Sequence, residues 1–278
     1  MASRLKKGFA SAANKKEEKQ MKKFHRAIVR RPCKAMVNGI TSAPELGKPI
    51  YELALKQHDA YIEALKACGM DVSVLGAEEQ FPDSCFVEDV ALLTQRCAII
   101  TNPGAQSRNN ERMLAVDEIK KYYAEDVICS IENPGTLDGG DVMMVGDNFY
   151  VGESARTNKE GIRQLTEILT KFGYQCTPVK LEKVLHLKTG VNYLENNNLL
   201  VSGEFEENSL FDGFHKVKIP EDEAYAANCI WVNNTVIVPE GYPKVLAAVK
   251  ELGYSTITVD VSEFRKLDGG LSCLSLRF

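Results

Sequence analysis

Apolar residues along this chain gather in pairs of short runs, and each pair is split by a few polar or glycine positions. Four such pairs start at Asp89, Asp141, Gly190 and Cys229 and read DVALLTQRCAIITNPG, DVMMVGDNFYVGES, GVNYLENNNLLVSGE and CIWVNNTVIVPEG. Two apolar runs joined by a short polar turn are typical of a β-hairpin. The hairpins recur about every 40 to 50 residues, a period that indicates a repeated structural unit.

Segments with a helical spacing of apolar residues follow several of the hairpins. The clearest are RTNKEGIRQLTEILTKFG and YPKVLAAVKELG, and each ends at a glycine, where a left-handed cap is natural. An earlier helix is predicted from one apolar face, formed by Leu53, Ala60, Tyr61, Ala64, Leu65 and Cys68. The third unit is uneven, because FEENSLFDGFHKVKIPE stands where a helix is expected.

A further strand completes each unit. These strands read MDVSVLG, DVICSIE, YQCTPVKL and YSTITVDVS, so the unit is strand, strand, helix, strand. Five copies fit if the opening FHRAIVRRP pairs with the closing GGLSCLSLRF across the termini. Stacking such units around an axis would bury each sheet against its neighbours. We therefore predict an α/β fold of five repeated ββαβ units; an α/β domain without symmetry is the alternative.

Charge is unevenly distributed along the 278 residues, whose net charge is −4. Residues 1–23 hold eight Lys or Arg against Glu17 and Glu18, which leaves 26 basic and 36 acidic residues in the remainder. A body of that sign repels nucleic acid and attracts small cations, and no apolar run approaches a membrane span. We expect residues 1–22 to be a mobile basic tail, or a remnant ahead of an original start at Met21, and residues 23–278 to form one catalytic domain.

Eight cysteines are scattered through the chain without paired spacing, and we expect no signal peptide ahead of them. A reducing cytoplasm is the simplest interpretation. Most free cysteines pack as small hydrophobes. Cys273 differs because it lies five residues from the carboxyl end, just after a glycine pair that follows an aspartate.

Polar residues concentrate at the edges of the predicted hairpins. FPDSCFVEDVALL places Asp83, Glu88 and Asp89 around Phe86, GTLDGGDVMMVG places Asp138 and Asp141 on either side of a glycine pair, and VLHLKTG contains His186. Each of these motifs alone is weak evidence for a functional site. A glycine pair beside aspartates predicts a tight turn with the glycines at positive φ, a lone His186 predicts a core histidine, and Arg108 and Arg156 are by default solvated.

Together these residues form a coherent set. A cysteine is a strong nucleophile, but its ordinary pKa of about 8.5 leaves little thiolate at neutral pH unless a cation lies nearby. Several carboxylates around a thiolate make sense when a cation must be held between them, and a guanidinium matches carboxylates in two-point hydrogen bonds. The set therefore predicts attack on the central carbon of a guanidinium, with loss of an amine.

Several longer motifs carry a family resemblance. FPDSCFVEDVALL, RCAIITNPGAQSR, TLDGGDVMMVG, FYVGESARTN, LHLKTG and KLDGGLSCLSLRF resemble the dimethylarginine dimethylaminohydrolase family, part of the guanidine-modifying superfamily with arginine deiminases and amidinotransferases. The resemblance extends from about Lys23 to Phe278. It implies a five-bladed pseudo-symmetric α/β propeller, the pentein fold, in agreement with the repeat.

The resemblance also implies roles for the candidate residues. Cys273 would be the nucleophile, His186 the general acid and base, and Asp138 the third catalytic member, at a position where many relatives carry the longer glutamate. Asp89 and Asp138 would grip the guanidinium nitrogens, with Glu88 and Asp141 close by.

The remaining implied roles concern access and the far end of the substrate. Asp83 and Phe86 would line the substrate channel, and Arg108 and Arg156 would bind the carboxylate of the amino acid. Residues 38–49, NGITSAPELGKP, resemble a mobile lid that excludes water.

The implied reaction is hydrolysis of Nω-methylated arginine to citrulline and a methylamine through a covalent Cys273 thiouronium. It requires no metal or organic cofactor, although zinc could bind Cys273 and His186 as an inhibitor. The alternatives are an arginine deiminase or an amidinotransferase acting on another guanidine, a non-catalytic arginine-binding module, and a divalent-metal phosphohydrolase. We expect a small cationic amino acid as the ligand, neither nucleic acid nor membrane as a partner, and a homodimer.

Overall fold

Five small β-sheets organise residues 24–278, which are the residues that the computed structural model describes. The strands are β1 (Arg26–Arg30), β2 (Asp71–Leu75), β3 (Ala91–Leu93), β4 (Ala98–Ile100), β5 (Ile128–Ser130), β6 (Val142–Val145), β7 (Asn148–Glu153), β8 (Gln175–Lys180), β9 (Val191–Tyr193), β10 (Asn198–Val201), β11 (His215–Lys218), β12 (Ile230–Val232), β13 (Thr235–Pro239), β14 (Ser255–Val259) and β15 (Leu276–Arg277). The predicted tail, residues 1–22, lies outside the described residues.

Helices lie in the segments that connect the strands. They are α1 (Tyr51–Ala67), α2 (Met113–Ile119), α3 (Lys159–Lys171), α4 (Leu187–Gly190), α5 (Pro243–Glu251) and α6 (Ser262–Arg265). Between β10 and β11 the chain forms 3-10 turns at Gly203–Phe205 and Ser209–Phe211, and no α-helix, as the uneven third unit predicted. Within residues 24–278, no helix is both long and apolar enough to cross a bilayer.

Every sheet repeats one topology. The inner strand pairs antiparallel with the middle strand, and the middle strand pairs parallel with the outer strand that returns after the connecting segment, as in β3-β4-β5 and β6-β7-β8. The fifth sheet, β15-β1-β2, is closed by both ends of the chain, with Ala27 opposite Arg277. This confirms the predicted propeller of five ββαβ units, one of them completed across the termini.

Local sequence accounts for the hairpin turns and the helix ends. The turn between β12 and β13 places Asn233 and Asn234 at φ +48° and +70°, a left-handed conformation that asparagine tolerates better than most residues. The predicted glycine caps follow α3 and α5, and a further one follows α1; Gly69, Gly173 and Gly253 have φ between +76° and +87°.

The predicted face of α1 is partly wrong. Leu53 and Ala60 are exposed, whereas Gln57 and His58 are buried. Burial of Gln57 is tolerated because its amide donates to Asp260 at 2.7 Å and to Ser262 at 2.9 Å, so its polar atoms keep their partners. Hydrophobicity alone therefore misplaced the buried stripe.

Candidate active site

The loops that lead into the inner strands bring the candidate residues together. Asp89 lies in the 3-10 turn before β3, Asp138 directly before the turn that leads into β6, His186 directly before α4 and β9, and Cys273 in the 3-10 turn before β15. Four blades thus supply one residue each from equivalent places. Residues far apart in the chain become neighbours because the repeat stacks these places around one axis.

One cavity is lined by eight of the ten predicted site residues. They are Asp83, Phe86, Asp89, Arg108, Asp138, Arg156, His186 and Cys273. Phe86 packs edge-on against Phe264, with 6.2 Å between the ring centroids, which fixes one wall of the cavity. A thiol, an imidazole, several carboxylates and two guanidinium groups therefore face one small space.

His186 and Asp138 are in direct contact. The Nε2 atom of His186 lies 3.0 Å from Oδ2 of Asp138, so the shorter aspartate reaches the imidazole. Burial by itself would lower the pKa of His186, but the hydrogen bond to Asp138 and the charges of Asp89 and Asp141 outweigh it and raise that pKa to about 9. At neutral pH the imidazole is therefore protonated.

Cys273 is half-buried, and the Gly270 N–H lies 3.4 Å from its Sγ atom. Burial raises the pKa of this thiol to about 12, and the charges of Glu88 and Asp89 act in the same direction, against smaller opposing effects of the Gly270 N–H and Lys188. The free protein therefore holds a neutral thiol near a charged imidazole, and an additional cation is needed to favour the thiolate.

Asp89 is buried with both of its oxygens in hydrogen bonds. Oδ1 accepts the Gly140 N–H at 2.9 Å, and Oδ2 accepts NH1 of Arg108 at 2.6 Å. Burial would raise the pKa of Asp89, but the charges of Arg108 and His186 lower it. A carboxylate held ionised at the cavity wall suits the binding of a cation.

Arg108 is buried, not solvated as the sequence alone suggested. Besides Asp89, it donates from Nε and NH2 to Glu111 Oε2, at 3.1 and 2.9 Å, and from NH2 to the Phe86 carbonyl at 3.0 Å. Glu111 was missed by sequence reasoning. Burial raises the pKa of Glu111 to about 7, although the charge of Arg108 opposes that rise. Arg156, in contrast, is only half-buried.

Asp83 connects the predicted lid to the cavity wall. Its Oδ1 accepts the Ile40 N–H at 2.9 Å, and Ile40 lines the cavity. The lid is also held by Ser42, which donates from N and Oγ to Asp268 at 2.6 and 2.9 Å. Asp268 also lines the cavity at φ +59°, and sequence reasoning did not select it. Mobility of residues 38–49 stays a prediction.

Glu88 and Asp141 lie behind the cavity and do not line it. Asp141 accepts hydrogen bonds from Ser154 Oγ at 2.7 Å, Thr157 Oγ at 2.6 Å and the Leu187 N–H at 3.0 Å. Glu88 accepts Lys188 Nζ at 2.6 Å. Both carboxylates therefore belong to buried networks, and direct contact with a ligand, as the predicted binding set implied, does not fit their position.

The glycine pair after Asp138 serves close approach, not positive φ. Neither Gly139 nor Gly140 has a left-handed φ. A Cβ atom on Gly139 would lie 1.9 Å from the Glu88 carbonyl oxygen, and one on Gly140 would lie 2.8 Å from Nδ1 of His186. Any side chain here would push the neighbouring loops apart, so the predicted reason for these glycines is wrong.

The site also contains a group that could hold a cation. Within residues 24–278, ligand atoms of Asp89, Asp138 and His186 all lie within 4.8 Å of one another. Carboxylate oxygens and an imidazole nitrogen are ligands that zinc accepts. Inhibition by zinc at Cys273 and His186 stays a prediction.

Comparison with known proteins finds close similarity. A family model described as "N,N dimethylarginine dimethylhydrolase, eukaryotic" matches residues 33–205. The N(G),N(G)-dimethylarginine dimethylaminohydrolase of Pseudomonas aeruginosa is 55% identical over 255 residues, which cover 92% of this chain and 100% of that protein. A similar enzyme of Streptomyces coelicolor is 35% identical, with 91% and 96% of the two chains covered.

Solved structures show the same similarity. A cysteine-to-serine variant of the Pseudomonas aeruginosa protein, in complex with citrulline, matches with a TM-score of 0.91 and 54% identity over 92% of this chain and 100% of that one. The N-terminal domain of ArgZ, an arginine dihydrolase from cyanobacteria, matches with a TM-score of 0.80 at 17% identity, covering 91% of this chain and 97% of that one. The second likeness concerns the fold alone.

Proposed function

The chain belongs to the dimethylarginine dimethylaminohydrolase family, and from that premise we propose that it hydrolyses Nω-methylated arginine to citrulline and a methylamine. The observation that carries this proposal is the single cavity in which Cys273, His186 and Asp138 stand beside the cation-binding carboxylate Asp89. The citrulline bound to the similar Pseudomonas aeruginosa protein supports the product.

Substrate binding depends first on the attraction between the cationic substrate and the carboxylates of the cavity. The guanidinium of the substrate binds between Asp89 and Asp138, whose carboxylates match it in planar hydrogen bonds. Because burial and nearby carboxylates hold the pKa of the Cys273 thiol at about 12 in the free protein, the bound cation is what favours the thiolate. The proton leaves as the cation enters, and the anionic sulfur then faces a carbon that already carries positive charge.

The first chemical step forms the covalent intermediate. Cys273 Sγ bonds to the guanidinium carbon, and the bond from that carbon to the methylated nitrogen breaks. The departing amine needs a proton, because an amide anion is a very poor leaving group. His186, with its pKa raised to about 9, carries that proton and donates it. The product of this step is a Cys273 thiouronium.

The second step regenerates the protein. Neutral His186 takes a proton from a water molecule, whose oxygen bonds to the thiouronium carbon. The carbon–sulfur bond then breaks, which releases citrulline and the Cys273 thiolate. Asp138 holds the imidazole through the 3.0 Å contact with Nε2, so its role is to orient His186 and stabilise its charged form.

The arginines serve the other end of the substrate. We assign the substrate carboxylate to Arg156 and Arg108, as the family resemblance implies. Arg108 NH1 is engaged by Asp89, and its Nε and NH2 by Glu111, so Arg156, which is half-buried at the cavity, is the better placed of the two. Asp83 and Phe86 shape the channel under the lid of residues 38–49.

A substrate panel tests the proposed function. Purified protein is incubated with asymmetric dimethylarginine, monomethylarginine and arginine, and citrulline and released amines are measured by mass spectrometry. We expect citrulline with dimethylamine or methylamine in equal amounts. Citrulline with ammonia from arginine alone would identify a deiminase, and a guanidino product after addition of glycine or lysine would identify an amidinotransferase.

Three further proposals concern the whole molecule. We place it in the cytoplasm, on the scattered cysteines of its sequence, and we treat residues 23–278 as one catalytic domain because β1 and β15 close the ring from both ends. A homodimer is proposed because the outer strands of the five sheets offer edges for association. Light scattering on the eluting protein tests the dimer.

A further inference from the structure

The loop that leads into β12 carries no residue of the predicted site, but it places Asn228 among the catalytic loops. The Asn228 amide is buried. Its Oδ1 accepts the Ser272 N–H at 2.9 Å, and its Nδ2 donates to the Lys188 carbonyl at 3.0 Å and to Ser272 Oγ at 3.1 Å. A Cβ on Gly270 would lie 2.6 Å from Cγ of Asn228. The amide therefore holds the turn that contains Cys273.

The hydrogen bonds of Ser272 follow from a donor and acceptor count. A serine hydroxyl has one proton to donate. Because Ser272 Oγ accepts from Asn228, its own proton goes to Glu88 Oε2, at 2.8 Å. The other oxygen of Glu88 accepts Lys188 Nζ at 2.6 Å. Both oxygens of this buried carboxylate are thus satisfied, one by a cation and one by a hydroxyl.

The members of this network are sequence neighbours of the site residues. Ser272 directly precedes Cys273, and Glu88 directly precedes Asp89. Lys188 lies two residues after His186. Three loops that carry the thiol, the imidazole and a cation-binding carboxylate are therefore tied together behind the cavity, through groups that are 89% or more buried.

We propose that Ser272, held by Asn228, is a positioning residue that fixes the Cys273 thiol relative to Asp89 and His186 by its hydrogen bond to Glu88. The proposal deepens the proposed function and rests on it for the identity of the reaction. Loss of the hydroxyl has two consequences. The turn that carries the thiol loses one of its attachments, and the Glu88 charge, which disfavours the thiolate, loses a compensating donor.

The chain offers a matched control two residues beyond the thiol. Ser275 is as buried as Ser272, at 1% exposure each. Its hydroxyl lies 2.7 Å from the Tyr61 hydroxyl and belongs to the packing of α1. Removal of that hydroxyl also deletes a buried hydrogen bond from the same segment. A general structural effect would therefore show equally in both serines.

The experiment compares Ser272→Ala with Ser275→Ala by steady-state kinetics and by iodoacetamide alkylation of Cys273 without substrate. For Ser272→Ala we expect kcat about tenfold lower with KM nearly unchanged, since a misplaced reacting group costs rate more than binding. At about pH 8, alkylation should be about threefold slower, because less thiolate is present. Ser275→Ala should keep the parent values of both.

A second pair separates the hydroxyl from side-chain volume. The side chains introduced by Ser272→Thr and Ser272→Val have the same shape, and only threonine keeps the hydroxyl that donates to Glu88. We expect faster alkylation and a higher kcat for Ser272→Thr than for Ser272→Val. This pair decides the question if Ser272→Ala does not fold.

Two results would overturn the proposal: parent-like kcat and alkylation in Ser272→Ala, or an equal loss of both in Ser275→Ala. The alkylation assay needs no turnover. If the parent protein hydrolyses no methylated arginine, the proposed function fails, while the comparison of the two serines still tests the role of Ser272.

Discussion

The cavity wall and the layer directly behind it contain the same kinds of residue and differ in whether those residues line the cavity. Asp138 and Asp141 flank one glycine pair, and Glu88 and Asp89 are consecutive; all four are at least 96% buried. On the wall, Asp138 contacts the imidazole. Behind it, three donors saturate Asp141. Burial and charge therefore do not identify a chemical role, whereas exposure to the cavity and contact with the imidazole do.

This difference explains how acidic residues serve two purposes, in the fold and in the cavity. A carboxylate in the rear layer accepts hydrogen bonds from fixed internal donors, so it stabilises the fold and orients loops. A carboxylate on the wall is hydrogen-bonded to His186 or Arg108 and also lines the cavity. Substitutions in the two layers test this contrast.

Removal of the imidazole from the wall should have the largest effect. We expect His186→Ala to lower kcat about a thousandfold, since it deletes the proton donor and acceptor of both steps. Rates are measured as citrulline formed per active site, and retention of a tenth of the parent kcat would show that another group carries the proton.

The two aspartates beside the glycine pair make the sharpest comparison. Asp138→Asn should lower kcat about a hundredfold, because the amide no longer stabilises the charged imidazole. Asp141→Asn should instead lower the free energy of unfolding by about 1 to 3 kcal/mol, since its three donors lose a charged acceptor. Urea unfolding and kinetics on both variants test this, and identical behaviour would abolish the distinction between wall and rear layer.

The half-buried arginine at the wall should affect binding more than rate. We expect Arg156→Lys to raise KM for methylated arginine about tenfold with kcat nearly constant, since lysine cannot hold a carboxylate by two parallel hydrogen bonds. A matched measurement with an alkylguanidine that lacks the carboxylate should show no difference between the variant and the parent. A loss of kcat without a change in KM would remove Arg156 from substrate recognition.

The smallest expected effect is on the pH dependence of stability. The pKa of His186 is raised to about 9 in the folded protein, above about 6.5 in an unfolded chain. Its contribution is therefore fully present below about pH 6.5 and is lost as pH rises through about 9. The difference in unfolding free energy between the parent and His186→Gln should shrink over that window; a constant difference would refute the raised pKa.

Much of the fold could be predicted because short local sequence patterns specify each repeated unit. The asparagine turn before β13 and the glycines after α1, α3 and α5 are readable from a few neighbouring residues. The face of α1 was less readable, because the burial of Gln57 depends on Asp260, about 200 residues away. Local patterns specify strands and helix ends, whereas distant partners decide which polar residues are buried.

The same distinction between local patterns and distant partners applies to the residues of the candidate site. Residue types with strong chemistry, such as Cys273 and His186, could be selected from short motifs. Ser272, Asn228 and Lys188 could not, because an ordinary serine, asparagine or lysine gains its role only from a partner in another loop, 184 residues away for Ser272 and Glu88. The repeat itself held one usable signal: Asn228 precedes β12 as His186 precedes β9.

Mass spectrometry of protein quenched during turnover tests the covalent step at Cys273. With methylated arginine as substrate, we predict an adduct on the peptide that contains Cys273, which decays as citrulline accumulates and is missing in Cys273→Ser. Steady formation of citrulline without any adduct on Cys273, or turnover by Cys273→Ser at the rate of the parent, would contradict the account.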